Sequence, residues 1–118
     1  MFAYIFMRVR FLVKEKVIHD FVANHAISKR AFRTWLDVLK SANWTPPEDI
    51  KSTFLATDIL GKGCKRVVFD IGGNNYRLIC GYLFGRKEAH LFICRIGVHA
   101  EYTKLCDKGE QYTVSMFK

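Results

Sequence analysis

Arg66, Arg77 and Arg95 are spaced so that two successive hairpins would gather them, with Asp70, on one face of a sheet. The chemistry such a group does best is to hold a phosphate: arginine keeps its charge at physiological pH and offers paired N–H donors in a planar fork that matches phosphate oxygens. The apolar residues between them alternate with a period of two. Val67, Phe69, Ile71, Tyr76, Leu78, Cys80, Phe92, Cys94 and Ile96 fall on the opposite face, so the segment predicts one buried face and one basic face.

The turns fix which residues meet. Gly72-Gly73-Asn74-Asn75 and Gly85-Arg86-Lys87 separate three β-rich runs, and Gly-Asn between such runs signals a hairpin. A two-residue loop at Gly73-Asn74 sets Asp70 opposite Arg77 and Val68 opposite Ile79. A three-residue loop at 85–87 sets Phe84 opposite Glu88 and Arg77 opposite Arg95. In that register Arg77 meets either a phosphate or, across the strand, Asp70, in an ion pair worth about 0.2–1 kcal/mol.

Upstream elements must support this sheet. Val9, Phe11 and Val13 alternate with Arg8, Arg10 and Leu12 in a short strand, and Val13, Val17, Phe21 and Val22 then recur at helical spacing, predicting a helix over 14–24. Ser28 is placed as the N-cap of a second helix over 29–41, whose stripe of Phe32, Trp35, Leu36 and Leu39 belongs to the core. Thr45-Pro46-Pro47-Glu48 reads as a capping box for a short helix through Ser52, and residues 53–60 as a turn and short strand. This order predicts a single α+β domain over 1–118 with its core in 7–105. An N-terminal strand and two to three helices pack on one face of an antiparallel sheet, leaving the arginine face open.

Composition narrows the partner. The 118 residues carry 19 Lys and Arg against 11 Asp and Glu, a net charge of +8, which suits a polyanion and nucleic acid first. Cys64, Cys80, Cys94 and Cys106 form no close pairs, so neither a zinc site nor a thioredoxin-like motif is supported, and no cluster suggests a metal or other cofactor. Cys80 and Cys94 read as small buried apolar groups in a reducing cytoplasm, although an even count leaves disulfides formally open. His19, His25 and His90 read as structural or solvated. Residues 1–7 are apolar, but Arg8 and Arg10 interrupt them before they could span a bilayer or form an export signal, so a cytoplasmic location with no membrane partner is expected. Met7 offers an alternative start, with 1–6 as an N-terminal extension.

The run Val67-Val68-Phe69-Asp70-Ile71-Gly72-Gly73-Asn74-Asn75-Tyr76-Arg77-Leu78, followed by Arg95-Ile96-Gly97-Val98-His99-Ala100-Glu101-Tyr102, closely resembles the HigB family of toxins in the RelE-like superfamily. The likeness also takes in Ala42-Asn43-Trp44-Thr45-Pro46-Pro47-Glu48-Asp49-Ile50-Lys51. It implies a RelE-like fold and the toxin of a type II toxin-antitoxin pair, an mRNA interferase that cleaves mRNA, usually in association with the ribosome, and is neutralised by a HigA-type antitoxin bearing a helix-turn-helix domain. Three positions depart from the family pattern: Asp70 stands where Asn is usual, Val98 where Thr commonly precedes the histidine, and Thr103 where Asp usually follows the tyrosine.

A metal-independent ribonuclease of this kind uses the substrate's own 2′-hydroxyl as nucleophile and asks the protein for a base, an acid and positive charge at phosphorus. Arg77 and Arg95 are the candidates for the charge; Lys65, Arg66, Arg86 and Lys87 are candidates for neighbouring phosphates. His99 is of a residue type that exchanges protons near neutrality, Glu101 is a possible base, and Tyr102 can stack on a base or donate a hydrogen bond. An unbroken strand would put Arg95, Gly97, His99 and Glu101 on one face; a helical turn beginning at His99 would bring His99 beside Tyr102. A noncatalytic RNA- or ribosome-binding protein of the same fold is the alternative, distinguished by whether mRNA is cut or only retained.

Overall fold

The computed structural model describes residues 7–13, 15–44, 46–85 and 88–115, with backbone only for 7–13. The extension 1–6, Lys14, the expected cap Thr45, and Arg86 and Lys87 of the second turn lie outside the described residues.

Alternating and helical periodicities sort the chain much as its residues dictate. Strand β1 (Met7–Val13) leads into α1 (Lys16–Asn24) and α2 (Lys29–Lys40); then come β2 (Asn43–Trp44), α3 (Asp49–Thr53), β3 (Thr57–Ile59), β4 (Arg66–Ile71), β5 (Tyr76–Phe84), β6 (Glu88–Val98) and α4 (His99–Asp107). The strands form one sheet in the order β2-β1-β6-β5-β4-β3, antiparallel except where β1 runs parallel to β6. The stripe of α2 buries Phe32, Trp35, Leu36 and Leu39 with Phe69, Leu78, Leu91 and Ile96 of the sheet. Trp44 closes the far end, fully buried, its indole N–H donating to Thr53 Oγ1 at 2.9 Å. This is the expected α+β architecture.

Ser28 does not cap α2. It is fully buried in a 3-10 turn (Ala26–Ser28), already in helical conformation, and its hydroxyl donates to the His25 carbonyl at 2.6 Å. The second helix grows directly out of this turn, so the cap position the sequence suggested is occupied by backbone that has already turned.

The first hairpin has the expected register, with Asp70 opposite Arg77 and Val68 opposite Ile79. The second does not. Phe84 pairs with Ala89, one residue beyond the expected partner, and a bulge follows: Cys80 pairs with Ile93 while Ile79 pairs with Arg95, leaving Cys94 as an extra residue on β6. Arg77 consequently faces Gly97 rather than Arg95. The two shifts cancel in parity, so Arg77 and Arg95 still share a face, but between the turn and the bulge the faces are exchanged. Phe92 therefore lies outside the core, 39% exposed, and Cys94 is buried on the arginine side. The exchange lets Ile93 and Ile96, three positions apart, both enter the helical core. Cys80 remains in that core, where burial pushes its thiol pKa up and keeps it protonated.

The arginine face is also not open along its length. Tyr102 and Leu105 of α4, with Tyr112 and Val114 beyond it, pack on Leu60, Val68, Ile79 and Cys94, a second small core on the side away from α1 and α2. No described helix is long and apolar enough to cross a membrane.

The bulge makes a stability prediction. Ile93→Ala should cost about 2–5 kcal/mol, as for other buried Ile truncations, while Phe92→Ala, although it removes more atoms, should cost less. Urea denaturation of the two variants checks this; strict alternation along β6 would give the reverse order.

Candidate nucleic-acid interface

The site begins at the β4–β5 turn, where Gly72 and Gly73 both adopt φ of +68°, a conformation that side chains oppose. The turn delivers Asn74 and Asn75 to the start of β5. Asn74 Oδ1 accepts from Arg77 Nη2 at 2.5 Å, and Asn75 O accepts from the His99 N–H at 3.0 Å. One turn thus holds both the first arginine and the first residue of α4.

Arg77 is only 7% exposed. Its Nε lies 3.1 Å from Asp70 Oδ1, its Nη1 donates to the Tyr76 carbonyl at 3.2 Å, and its guanidinium stands 5.9 Å from the Tyr102 ring centre. A guanidinium this buried would be costly without such partners, so Asp70 and Asn74 hold it in place. Arg95 is less committed. Its Nη2 is 3.6 Å from Glu101 Oε1, while its buried Nε has no acceptor among the described residues.

Glu101 is held from two sides. Its Oε1 accepts from the Val98 N–H at 3.3 Å, capping the first turn of α4, and it lies against Gly97 so closely that a Cβ there would collide with it. Val98 itself occupies the N-cap in extended conformation but has no side-chain acceptor to offer. Thr103 donates its hydroxyl to the His99 carbonyl at 3.2 Å, a contact that a carboxylate at this position could not make.

The helix starting at His99 settles the geometry the residues alone left open. It turns Tyr102 inward and leaves the His99 and Glu101 side chains exposed. Burial, then a hydrogen bond with Cys106, pushes the Tyr102 phenol well up, so it stays protonated throughout the neutral range and is available as a donor, not a base. Arg77, Arg95, Gly97, Glu101, Tyr102 and Leu105 line a crevice of about 10 Å³, room for roughly one water.

The remaining candidates lie apart. Lys65 is exposed just before β4. Arg66 starts that strand opposite Gly81, and its Nη1 is engaged by the carbonyls of Gln111 (3.3 Å) and Val114 (2.7 Å), tethering the C-terminal segment. Arg86 and Lys87 lie outside the described residues. Among those described, no three His, Cys, Asp or Glu side chains gather as metal ligands. Asn74 and the contact of Gly97 with Glu101 were missed by sequence reasoning. The adjacency of Asn74 to the expected turn was a usable signal; the second contact needed the helix to be seen.

A family model describing the RelE-like HigB toxin, the toxic component of a toxin-antitoxin system, matches residues 28–105. A curated relative, the mRNA interferase HigB of Escherichia coli O6:H1, is 37% identical over 68 residues, covering 58% of this chain. The match spans 64% of that relative's length, just under two-thirds.

Two substitutions test this construction. Val98→Thr, close to isosteric, supplies the missing cap acceptor and should stabilise the fold by about 0.5–1 kcal/mol, seen as a rise of a few degrees in Tm. Gly97→Ala should displace Glu101 and so weaken both its cap and its contact with Arg95; an unchanged Tm and an unchanged Arg95–Glu101 coupling in a double-mutant cycle would refute the packing described.

Proposed function

The chain belongs to the HigB family of RelE-like toxins, and on that premise we propose that it is an mRNA interferase, an endoribonuclease that cleaves mRNA on the ribosome in the cytoplasm without a metal cofactor. The observation that carries this reading is the convergence of Arg77, Arg95, Glu101 and Tyr102 on one crevice beside the start of α4, with His99 at that start. A HigA-type antitoxin with a helix-turn-helix domain is its proposed neutralising partner, acting by covering or displacing the basic face, because a surface that attracts phosphates also attracts carboxylates.

In this mechanism the scissile phosphate replaces Glu101 as the partner of Arg95 and takes the unused Nε–H as a second donor. The freed Glu101 carboxylate, or His99 at the start of α4, accepts the proton of the 2′-hydroxyl as its oxygen attacks phosphorus. The bond from phosphorus to the 5′-oxygen breaks, and that oxygen takes a proton from Tyr102, leaving a 2′,3′-cyclic phosphate and a 5′-hydroxyl end. Arg95 stabilises the charge that develops on the phosphorane, and Arg77, fixed by Asp70 and Asn74, supplies a standing positive potential behind it. A noncatalytic RNA or ribosome binder is the second reading, favoured by the carboxylates that already sit on both arginines.

Defined mRNA incubated with purified ribosomes separates the two: new 5′-hydroxyl ends indicate the enzyme, retention without cleavage the binder. Arg95→Ala should fold, since its pair with Glu101 is partly solvated and worth at most about 1 kcal/mol, yet cleave about 10²- to 10³-fold more slowly at saturating ribosomes and mRNA. Arg95→Lys should recover only part of that rate, and Lys40→Ala, on the surface of α2, none should be lost. Parent-like cleavage by folded Arg95→Ala would remove this arginine from the mechanism. Asp70→Asn, which restores the usual family residue, should tighten RNA binding severalfold by withdrawing a negative charge from Arg77; weaker binding by a folded variant would mean that Asp70 serves RNA by positioning Arg77 more than it repels it.

A further inference from the structure

Along the arginine face, α4 and the segment after it cover Val68, Ile79 and Cys94. Phe92 lies on the same face, in the neighbouring row of the sheet, where Arg66, Gly81 and Phe92 stand side by side on β4, β5 and β6. Its ring is set against Gly81, so closely that any Cβ at position 81 would strike it. The ring is therefore laid over the β5 backbone with 39% of the residue exposed. Leu83, two positions along β5 on the same side, is also exposed. A lone exposed apolar residue is ordinary. Here the ring is presented over a glycine, it is placed there by the register in which β6 leaves the turn, and the bulge that follows brings Arg95, three residues on and roughly 10 Å away at 3.3 Å per residue, to the same face. Positive charge stands in its own row on Arg66, whose Nη1 also holds the carbonyls of Gln111 and Val114.

We propose that Phe92 is a stacking platform for a nucleobase of single-stranded RNA, a subsite that holds the strand beside the scissile phosphate at Arg95. The inference rests on the functional reading above. Single-stranded RNA is bound by proteins that combine aromatic rings, on which any base can stack, with positive charge that follows the backbone. The row of Arg66, Gly81 and Phe92 supplies both, while the row of Ile79 and Arg95 supplies the phosphate contact. The subsite would tolerate any base, because the π-face of the ring reads no hydrogen-bond pattern.

The test is equilibrium binding of a short mRNA fragment made uncleavable by a 2′-deoxy substitution at the scissile nucleotide. Phe92→Ala should raise Kd about 5- to 100-fold. Phe92→Leu, which keeps apolar area but no π-face, should lose nearly as much, and Phe92→Trp should bind as tightly as the parent or more so. Placing an abasic nucleotide at each position flanking the cleavage site in turn should reveal one position where the parent loses this affinity and Phe92→Ala loses nothing further. Parent-like RNA affinity in Phe92→Ala, with circular dichroism showing it folded, would overturn the proposal while leaving the endoribonuclease reading in place if the parent cleaves mRNA. A parent that neither binds nor cleaves RNA would overturn both. Unchanged RNA affinity together with lost antitoxin binding would assign the ring to a protein interface and equally refute the stacking role.

Discussion

The extra residue that β6 carries opposite Ile79 decides what each face of the sheet can hold. A strand of period two cannot send Ile93 and Ile96 to the same side, yet both are buried against the helices. The bulge at Cys94 reconciles them and at the same point sets Arg95 on the side of Arg77. Had the pairing of Ile93 with Cys80 continued without it, the terminal part of β6 would have exchanged faces, carrying Arg95 inward and Ile96 out. The hydrophobic demand of the helical core and the placement of the second arginine are thus met by one irregularity in the ladder.

On that foundation α4 converts a basic sheet face into a crevice. Its start is pinned by the Asn75 carbonyl, its first turn is capped by Glu101, and its inner side is anchored by Tyr102 and Leu105 on the small core around Ile79. None of its residues is fully buried, so its hold on the sheet comes from a few half-buried contacts and from the segment beyond it, which Arg66 tethers through two backbone carbonyls. Arg77 is the opposite case. It is fixed by Asp70, Asn74 and the Tyr76 carbonyl. A rigid arginine thus faces a lightly anchored helix across the site.

Much of this was legible in the residues. The Gly73-Asn74 turn gave the pairing of Asp70 with Arg77 because a two-residue hairpin leaves no freedom of register, and the stripe from Phe32 to Leu39 gave α2 because four bulky apolar groups at helical spacing have no other common face. The second hairpin was misread because its turn offers no such constraint and because the bulged residue, Cys94, carries no local signal of irregularity; it is as acceptable in a regular strand as out of one. Ser28 was misread as a cap because a buried serine bonding its own backbone has the same composition as a capping one. The covering of the arginine face by α4 was invisible for a different reason: Tyr102 and Leu105 are too few to announce a packed face, and the tether at Arg66 ends on main-chain carbonyls, which every sequence contains.

The folded chain carries its own competing anions. Asp70 lies 3.1 Å from one arginine and Glu101 3.6 Å from the other, so neither guanidinium faces solvent with a full complement of mobile counterions. When a protein contacts single-stranded nucleic acid, the fall of log K with log salt is about 0.7 for each phosphate neutralised, because ions are released. Where an entering phosphate displaces an internal carboxylate, the freed carboxylate gathers ions of its own, and the net release is smaller. The RNA association proposed for this face should accordingly be less sensitive to ionic strength than its arginines suggest, a property of ion exchange within the protein and not of weak contact.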